Sequence, residues 1–408
     1  MDHAPVDVFV ARQPIFDRDR RVSGYELLYR SGLANRYTGG DADVASSVNL
    51  ERTLLGFGLD SLVGDRDAWV NASRVMLVND HWALLPPNRT VIEVLETVVA
   101  DAEVIEACRR IKRAGYRLAL DDFEDRPSYE PLIAIADVLK LDVRAHDAAA
   151  RRRLAAKFAG RPLTLLAEKI ETHEEFREAA SLGFSLFQGY FFCKPEMMRT
   201  RDMAPNRISY LRLLKEVHAA QLDFGVVEQI IQQDVALSIK LLRFLRSASF
   251  GWSHEVSSIR QAILLLGERQ LRKWAALVAV FGLGQGKPAE LIVTALARAR
   301  FAESVAGPAG LGGRELELFL CGLLSVIDAL TDRPVAEALA GLAVPDAVRE
   351  ALETGAAPLG GVLQLVLALE RGDWDAADQV RGTLGLAEPE AASAYADALL
   401  WAEDHAQP

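Results

Sequence analysis

Cysteine is scarce: the 408 residues hold three, Cys108, Cys193 and Cys321. Thiols so few and so far apart exclude a disulfide framework and a cysteine-built zinc site, and point to a reducing cytoplasm. Long apolar runs are also missing. The longest, such as Trp274 to Gly284, reach roughly a dozen residues, whereas a spanning helix needs about 20. The first residues, Met1 to Asp7, lack the basic and apolar regions of a signal peptide. No membrane association is expected. Lysine is absent from residues 301–408, which carry 18 Asp/Glu and 5 Arg and so contribute −13 to a net charge of −11. The other 300 residues are nearly balanced, with 41 basic and 39 acidic side chains. An acidic C-terminal third is a poor nucleic-acid surface, because phosphate binding needs clustered Lys and Arg. Its charge reads as solubility.

The remaining composition is that of a globular chain, half hydrophobic and 25% charged, long enough for two or three domains. Residues 1–200 alternate between short β-like runs and helical stretches. The runs are Val6–Ile15, Val22–Tyr29, Trp69–Val70, Val91–Leu95, Leu118–Leu120, Val138–Leu141, Leu163–Ala167 and Leu186–Phe192. Helix-period segments such as Ala102–Ala114 and Glu174–Leu182 lie between them. This alternation predicts βαβ units closed into a TIM-like (β/α) barrel. The first two runs are joined by Asp17–Arg21, too short for a crossover helix, and should pair antiparallel. Residues 201–408 lose the alternation. Val226–Ile231, Ala236–Phe244, Ile259–Leu266 and Leu271–Val280 read as helices, with Ser257 or Ser258 as a cap. The expected fold class is therefore α/β plus all-α: a barrel over 1–200 and a helical bundle over 201–408, joined by a linker near 196–206.

Polar residues stand at the ends of the apolar runs. They are Glu26, Asn71, Glu93, Asp121, Asp122, Lys140, Glu168 and Gln188. In a barrel they would project at the C-terminal rim, where barrel enzymes keep their chemistry. Five carboxylates, the Asn71 carboxamide and the Lys140 ammonium form a set of hard ligands. It suits Mg²⁺ or Mn²⁺ rather than zinc, since no Cys or His joins it. Two such ions about 4 Å apart could cleave a phosphodiester by in-line attack of water.

The same residues carry a family resemblance. Gln13-Pro14-Ile15 and Gly24-Tyr25-Glu26-Leu27-Leu28-Tyr29-Arg30 resemble the opening of EAL domains. Val70-Asn71-Ala72-Ser73, Glu93-Val94-Leu95-Glu96, Asp121-Asp122-Phe123, Lys140-Leu141-Asp142, Ala167–Thr172, Gln188-Gly189-Tyr190 and Pro195 follow in the family's order. The second half resembles an HDOD domain through Asp234–Ser238, Leu241–Arg243, Ser247-Ala248 and Ser257–Gly267. The EAL resemblance implies binding of cyclic di-GMP and its hydrolysis to linear pGpG. It implies that Glu26, Asn71, Glu93, Asp121, Asp122 and Glu168 hold two metal ions, Mg²⁺ or Mn²⁺. Glu26, Lys140, Glu168 and Glu171 would form the catalytic set, with Lys140 orienting the attacking water and Glu171 bracing the loop after Asp122. Gln13, Arg30 and Gln188 would position substrate; the planar fork of Arg30 suits phosphate or guanine. The resemblance also implies a homodimer through the barrel and a protein partner for the HDOD half.

Three departures from the family pattern bear on activity. The loop after Asp121-Asp122-Phe123 reads Glu124-Asp125-Arg126-Pro127-Ser128-Tyr129-Glu130-Pro131 in place of a glycine-rich stretch. Proline fixes φ and removes an N–H, and the lost glycines remove positive-φ conformations. The insert after Arg30 is short and leads directly to a helix expected near Asp43–Phe57. Lys169 replaces a glycine beside Glu168, and is expected to point outward. These features predict a barrel that binds cyclic di-GMP but hydrolyses it slowly or undetectably. The alternative is an inactive interaction scaffold that binds no nucleotide, suggested by the helical half and the acidic tail. Residues 201–408 hold His218, His254 and His405, none followed by Asp, so HD-type metal chemistry is not expected there. His146-Asp147 reads as a helix start.

Overall fold

The computed structural model describes residues 8–31, 59–123, 125–194, 205–219, 221–234, 237–238, 240–241, 244, 258–340, 342 and 344–406. The chain divides into two compact units, Met1–Phe192 with Leu369–Asp373, and Cys193–Ala368 with Trp374–Pro408. The helix expected near Asp43–Phe57 lies outside the described residues. So does most of the linker expected over 196–206, and much of the HDOD-like stretch between 235 and 257.

The first unit is a closed barrel of eight strands, paired in sequence order. They are β1 (Val8–Phe16), β2 (Val22–Ser31), β3 (Asp67–Ala72), β4 (Thr90–Val94), β5 (Arg117–Leu120), β6 (Val138–Asp142), β7 (Thr164–Glu168) and β8 (Leu186–Gln188). Strand β1 runs antiparallel to both of its neighbours, β2 and β8, and all other pairs are parallel. The turn Asp17–Arg21 is too short to reverse the chain twice, so β1 and β2 form a hairpin. Between later strands lie α1 (Leu59–Val63), α2 (Arg74–Val78), α3 (Ala102–Arg113), α4 (Glu130–Ile133), α5 (Ala148–Phe158) and α6 (His173–Ser181). Their starts follow from capping side chains. Asp101 accepts the Val104 N–H at 3.0 Å, and Asp147 accepts that of Ala150 at 2.7 Å. Thr172 and Glu175 close a reciprocal capping box on α6. The apolar run Leu186–Phe192 is not one long strand. Gly189, at φ +142°, ends β8 against the Ile170 backbone, and Tyr190–Cys193 form a 3-10 turn.

The barrel interior is filled by one apolar layer: Ile15, Trp69, Val91, Ala119, Val138 and Leu166, with Leu186 against them. Strand β2 contributes Gly24 at this height. A Cβ there would stand 2.6 Å from Trp69 Nε1 and 2.8 Å from the Asp67 carbonyl. The missing side chain is the space that the indole fills.

The second unit is helical. Its described helices are α7 (Pro205–Val217), α8 (Phe224–Gln232), α9 (Ile259–Leu283), α10 (Ala289–Ser304), α11 (Glu315–Leu324), α12 (Ile327–Thr331), α13 (Val335–Ala340), α14 (Asp346–Thr354), α15 (Leu359–Arg371, of which the residues from Leu369 on group with the first unit), α16 (Trp374–Leu384) and α17 (Glu388–His405). Helix α10 is buried on nearly every face, which makes it the centre of the bundle. It packs against α11 and α17. Gly322 allows the closest approach, since a Cβ there would lie 2.4 Å from the Arg298 carbonyl. Within α9 the expected helices Ile259–Leu266 and Leu271–Val280 both form, separated by the non-helical backbone of Gly267 (φ 69°, ψ 169°), and Ser258 caps the first. Among the described residues, no single helix is long and apolar enough to cross a membrane.

His218 follows α7 and is buried, its Nε2 without a hydrogen-bond partner. Burial, and then the neighbouring Arg272 charge, push its pKa down to about 4. Unfolding releases it to an ordinary value near 6.5, so the unfolded chain takes up a proton over the window from about 6.5 to 4 that the fold refuses. Stability of the helical unit is therefore fully present above about pH 6.5 and falls with pH through that window. Between pH 7 and pH 5, the wild type should lose about 2 kcal/mol more than His218→Gln in urea titrations of the helical transition. Equal losses would contradict this placement. In the barrel, Gly24→Ala should cost about 1–3 kcal/mol by crowding the Trp69 indole, read as a lower urea midpoint. An unchanged midpoint would show that the indole has room to move.

Candidate functional site

Side chains on a strand alternate faces, so residues two apart share one. Two residues beyond the apolar layer, every parallel strand turns polar. Trp69 is followed by Asn71, Val91 by Glu93, Ala119 by Asp121, Val138 by Lys140, Leu166 by Glu168 and Leu186 by Gln188. Gly24 is followed by Glu26. In β1, which runs the other way, Gln13 precedes Ile15. All eight strands thus supply one polar side chain to a layer directly above the apolar floor.

Lys140 is its centre, with a relative exposure of 0%. Its Nζ lies 2.6 Å from Glu93 Oε2, 2.7 Å from Asp121 Oδ1, and 3.1 Å from both Glu26 Oε2 and Glu168 Oε1. Glu26 is buried, and Lys140 is not its sole partner. It also accepts from Asn71 Nδ2 at 2.8 Å and from Gln188 Nε2 at 2.7 Å, while Gln188 Nε2 donates as well to Gln13 Oε1 at 3.0 Å. Burial pushes the Glu26 carboxyl up, but Lys140 and these hydrogen bonds outweigh it, and its pKa is lowered. The other three are raised. Burial lifts Glu93 well above the carboxylate range, with the Glu26 charge adding to it. Burial likewise raises Asp121, and takes Glu168 up to about 8, against the pull of Lys140. Lys140 is itself raised well above its usual value: burial opposes its charge, and Glu168, Glu26, Glu93 and Asp121 more than offset that. One ammonium among four carboxylates leaves the layer short of positive charge.

Four buried oxygens here have no hydrogen-bond partner: Asn71 Oδ1, Glu93 Oε1, Glu168 Oε2 and Gln188 Oε1. Unpaired acceptors in a dry, acidic layer are what a hard divalent cation binds. The donor set therefore fits Mg²⁺ or Mn²⁺. No trio of carboxylate, histidine or cysteine side chains among the described residues is already drawn into a metal cage. The carboxylates point at the Lys140 ammonium instead.

Asp122 is not among them. It stands at φ +37°, one step outward, and its carboxylate faces Lys169 Nζ at 3.4 Å. Lys169 points outward as expected and is half-exposed, and its Nζ also lies 2.6 Å from Asp142 Oδ2. Lys169 adopts φ +56°, a left-handed backbone that costs a non-glycine residue about 1–2 kcal/mol. Asp142 is held in turn, its Oδ1 accepting the Arg144 and Ala145 N–H groups at 2.8 and 3.2 Å. Glu171 is half-exposed and pairs with Arg144 at 2.7 Å, away from Lys140. Arg30 extends β2 opposite Phe9, and its side chain lies outside what is described. Asp142 and Lys169 are the participants that the reading of strand ends missed. Asp142 was legible: it is two residues beyond Lys140 and so shares its face.

The loop after Phe123 is fastened to the barrel. Pro127 opens a 3-10 turn, Tyr129 Oη donates to the Glu96 carbonyl at 3.1 Å, Arg161 pairs with Glu130 at 3.1 Å, and Lys157 pairs with Asp125.

The EAL domain model matches residues 69–195 and the HDOD domain model matches residues 205–339. Over 402 residues, 97% of the chain, it is 34% identical to the Vibrio cholerae protein named cyclic di-GMP phosphodiesterase CdgJ, covering 92% of that protein. It is 33% identical to the YuxH protein of Bacillus subtilis over the same share, covering 98% of it. A solved structure of Klebsiella pneumoniae BlrP1, a manganese/cyclic di-GMP complex, is 25% identical with a TM-score of 0.40, over 47% of this chain and 57% of that one. With two relatives above 30% identity along nearly their whole length, and both domain models in the same order, the chain belongs to the family of two-domain EAL–HDOD proteins.

Proposed function

We propose that the barrel binds cyclic di-GMP together with Mg²⁺ or Mn²⁺ at the Lys140-centred layer, that turnover to pGpG is slow or undetectable, and that the HDOD domain passes occupancy to a protein partner. The observation that carries this reading is the polar layer, with four carboxylates and four unpartnered buried oxygens above a sealed apolar floor. The relative named a cyclic di-GMP phosphodiesterase supports the choice of ligand.

In this reading Glu26, Asn71, Glu93, Asp121 and Glu168 hold the metal, while Asp122, turned to Lys169, stands outside the set. When bound, the ions supply positive charge to the phosphodiester and make water a better nucleophile. Lys140 fixes the positions of four carboxylates and adds a buried charge beneath the scissile phosphate. Glu26, held by three donors, stays ionised and cannot drift. Gln188, Gln13 and Arg30 orient the nucleotide, and Glu171, anchored by Arg144, braces the neighbouring loop. Slow turnover follows from that loop. Fastened through Tyr129, Glu130 and Asp125, it cannot readjust as the substrate approaches its transition state. A misplacement near 1 Å can cost on the order of 100-fold in rate. A second reading, a scaffold that binds no nucleotide, is favoured by one observation: Lys140 and Lys169 already stand between the carboxylates of both layers.

Calorimetry of the full chain with cyclic di-GMP, with and without Mn²⁺, followed by product analysis, separates these readings. The wild type should bind in a metal-dependent manner, Asp121→Ala should bind at least about tenfold more weakly, the worth of one charged ligand, and pGpG should accumulate slowly. Fast turnover that Glu26→Ala abolishes would overturn the slow-turnover reading. No binding at all would leave the scaffold.

A further inference from the structure

Above the Lys140 layer lies a second, smaller charge cluster. Asp142 is two residues beyond Lys140 on the same face of β6, and pairs in register with Glu168 of β7. Asp122 follows Asp121. Between these two carboxylates stands the Lys169 ammonium, 2.6 Å from Asp142 Oδ2 and 3.4 Å from Asp122 Oδ2. The arrangement is held from each side. Asp142 is fixed by two backbone N–H groups through its other oxygen. Lys169 immediately follows Glu168 at the end of β7, and the left-handed turn at φ +56° accompanies the placement of its amine over the rim. Lysine pays for that backbone where glycine would not. A strained residue that spans two carboxylates points to a role for its charge.

We propose that Lys169 is a built-in cation that takes the place of one of the two metal ions, so that the barrel holds a single divalent ion beside Lys140. This rests on the reading of the polar layer as a metal site. The ammonium and a second metal ion compete for the same carboxylates. A divalent ion next to Asp122 would have to displace the ammonium, or share two carboxylates with it at a few ångströms, where like charges repel. The Lys140 layer keeps its four unpartnered oxygens and its excess of carboxylates, so one ion still has a place there. Asp122, held toward Asp142 by Lys169, is then withdrawn from metal binding. A single-ion site would grip the nucleotide without the paired charges that cleavage by two ions uses.

The test titrates Mn²⁺ alone into metal-free full chain, reading bound ions by calorimetry and by the electron paramagnetic resonance of free Mn²⁺. The wild type should bind about one ion per chain. Lys169→Gly and Lys169→Gln should each bind about two, and the second ion should restore magnetic coupling between neighbouring Mn²⁺ centres in the spectrum. Lys169→Arg, which keeps the charge, should remain at one. Gly removes both charge and backbone strain, whereas Gln removes only charge, so a second ion in Gly alone would overturn the role of the charge. Two ions in the wild type, or one in both neutral variants, would overturn this proposal while leaving the metal site itself standing. No Mn²⁺ in any variant would overturn the metal reading, and the proposal with it.

Discussion

The polar layer at the barrel mouth depends on one buried ammonium. Lys140 is sealed from water with four carboxylate oxygens between 2.6 and 3.1 Å from its Nζ. Neither side could stay charged alone at that depth, because an isolated buried ion is far costlier than a paired one. The two also constrain each other's position. Each carboxylate comes from a different strand, so the cluster ties β2, β4, β5 and β7 to β6 across the barrel mouth. Function and fold meet at this point: the side chains that would take a cation also finish the packing of the interior.

The balance of charge is deliberately incomplete in a physical sense. Glu26 has donors enough to remain ionised, whereas Glu93, Asp121 and Glu168 are driven toward their neutral forms by burial. A site in this state would take up a cation by exchanging protons for metal, so any metal affinity should rise with pH. The outer pair Asp122 and Asp142 differs. Lys169 satisfies it, half in water, and Asp142 is lowered rather than raised, its burial outweighed by the Lys169 hydrogen bond and by backbone N–H donors. Two layers two residues apart therefore have opposite character.

Much of this was legible in the sequence because strand periodicity is so short. Each apolar run in the first half became a strand, and the polar residue at its end came to the rim. The hairpin of β1 and β2 followed from a turn of five residues. What escaped was set by non-local contacts. Leu186–Phe192 reads as one apolar run, but Gly189 must fit against the Ile170 backbone and ends the strand early. Ile259–Leu266 and Leu271–Val280 read as separate helices, and the non-helical backbone of Gly267 does separate them. Asp122 and Asp121 are indistinguishable as a dipeptide, yet only Asp121 reaches Lys140. Lysine's usual exposure suggested that Lys169 points outward, and it is half-exposed; what was not foreseen is that its amine pairs with Asp142 and Asp122 there.

The most direct test of the account replaces Lys140 by Met, which keeps the chain volume and removes the charge. In metal-free buffer at pH 8, Lys140→Met should destabilise the barrel by about 3–5 kcal/mol, the penalty for buried carboxylates left without their partner. The deficit should shrink toward pH 5, because carboxyls raised in the fold hold protons there and the variant no longer confines unpaired charge. A barrel as stable as the wild type at pH 8 without metal would contradict the claim that this ammonium holds the site together.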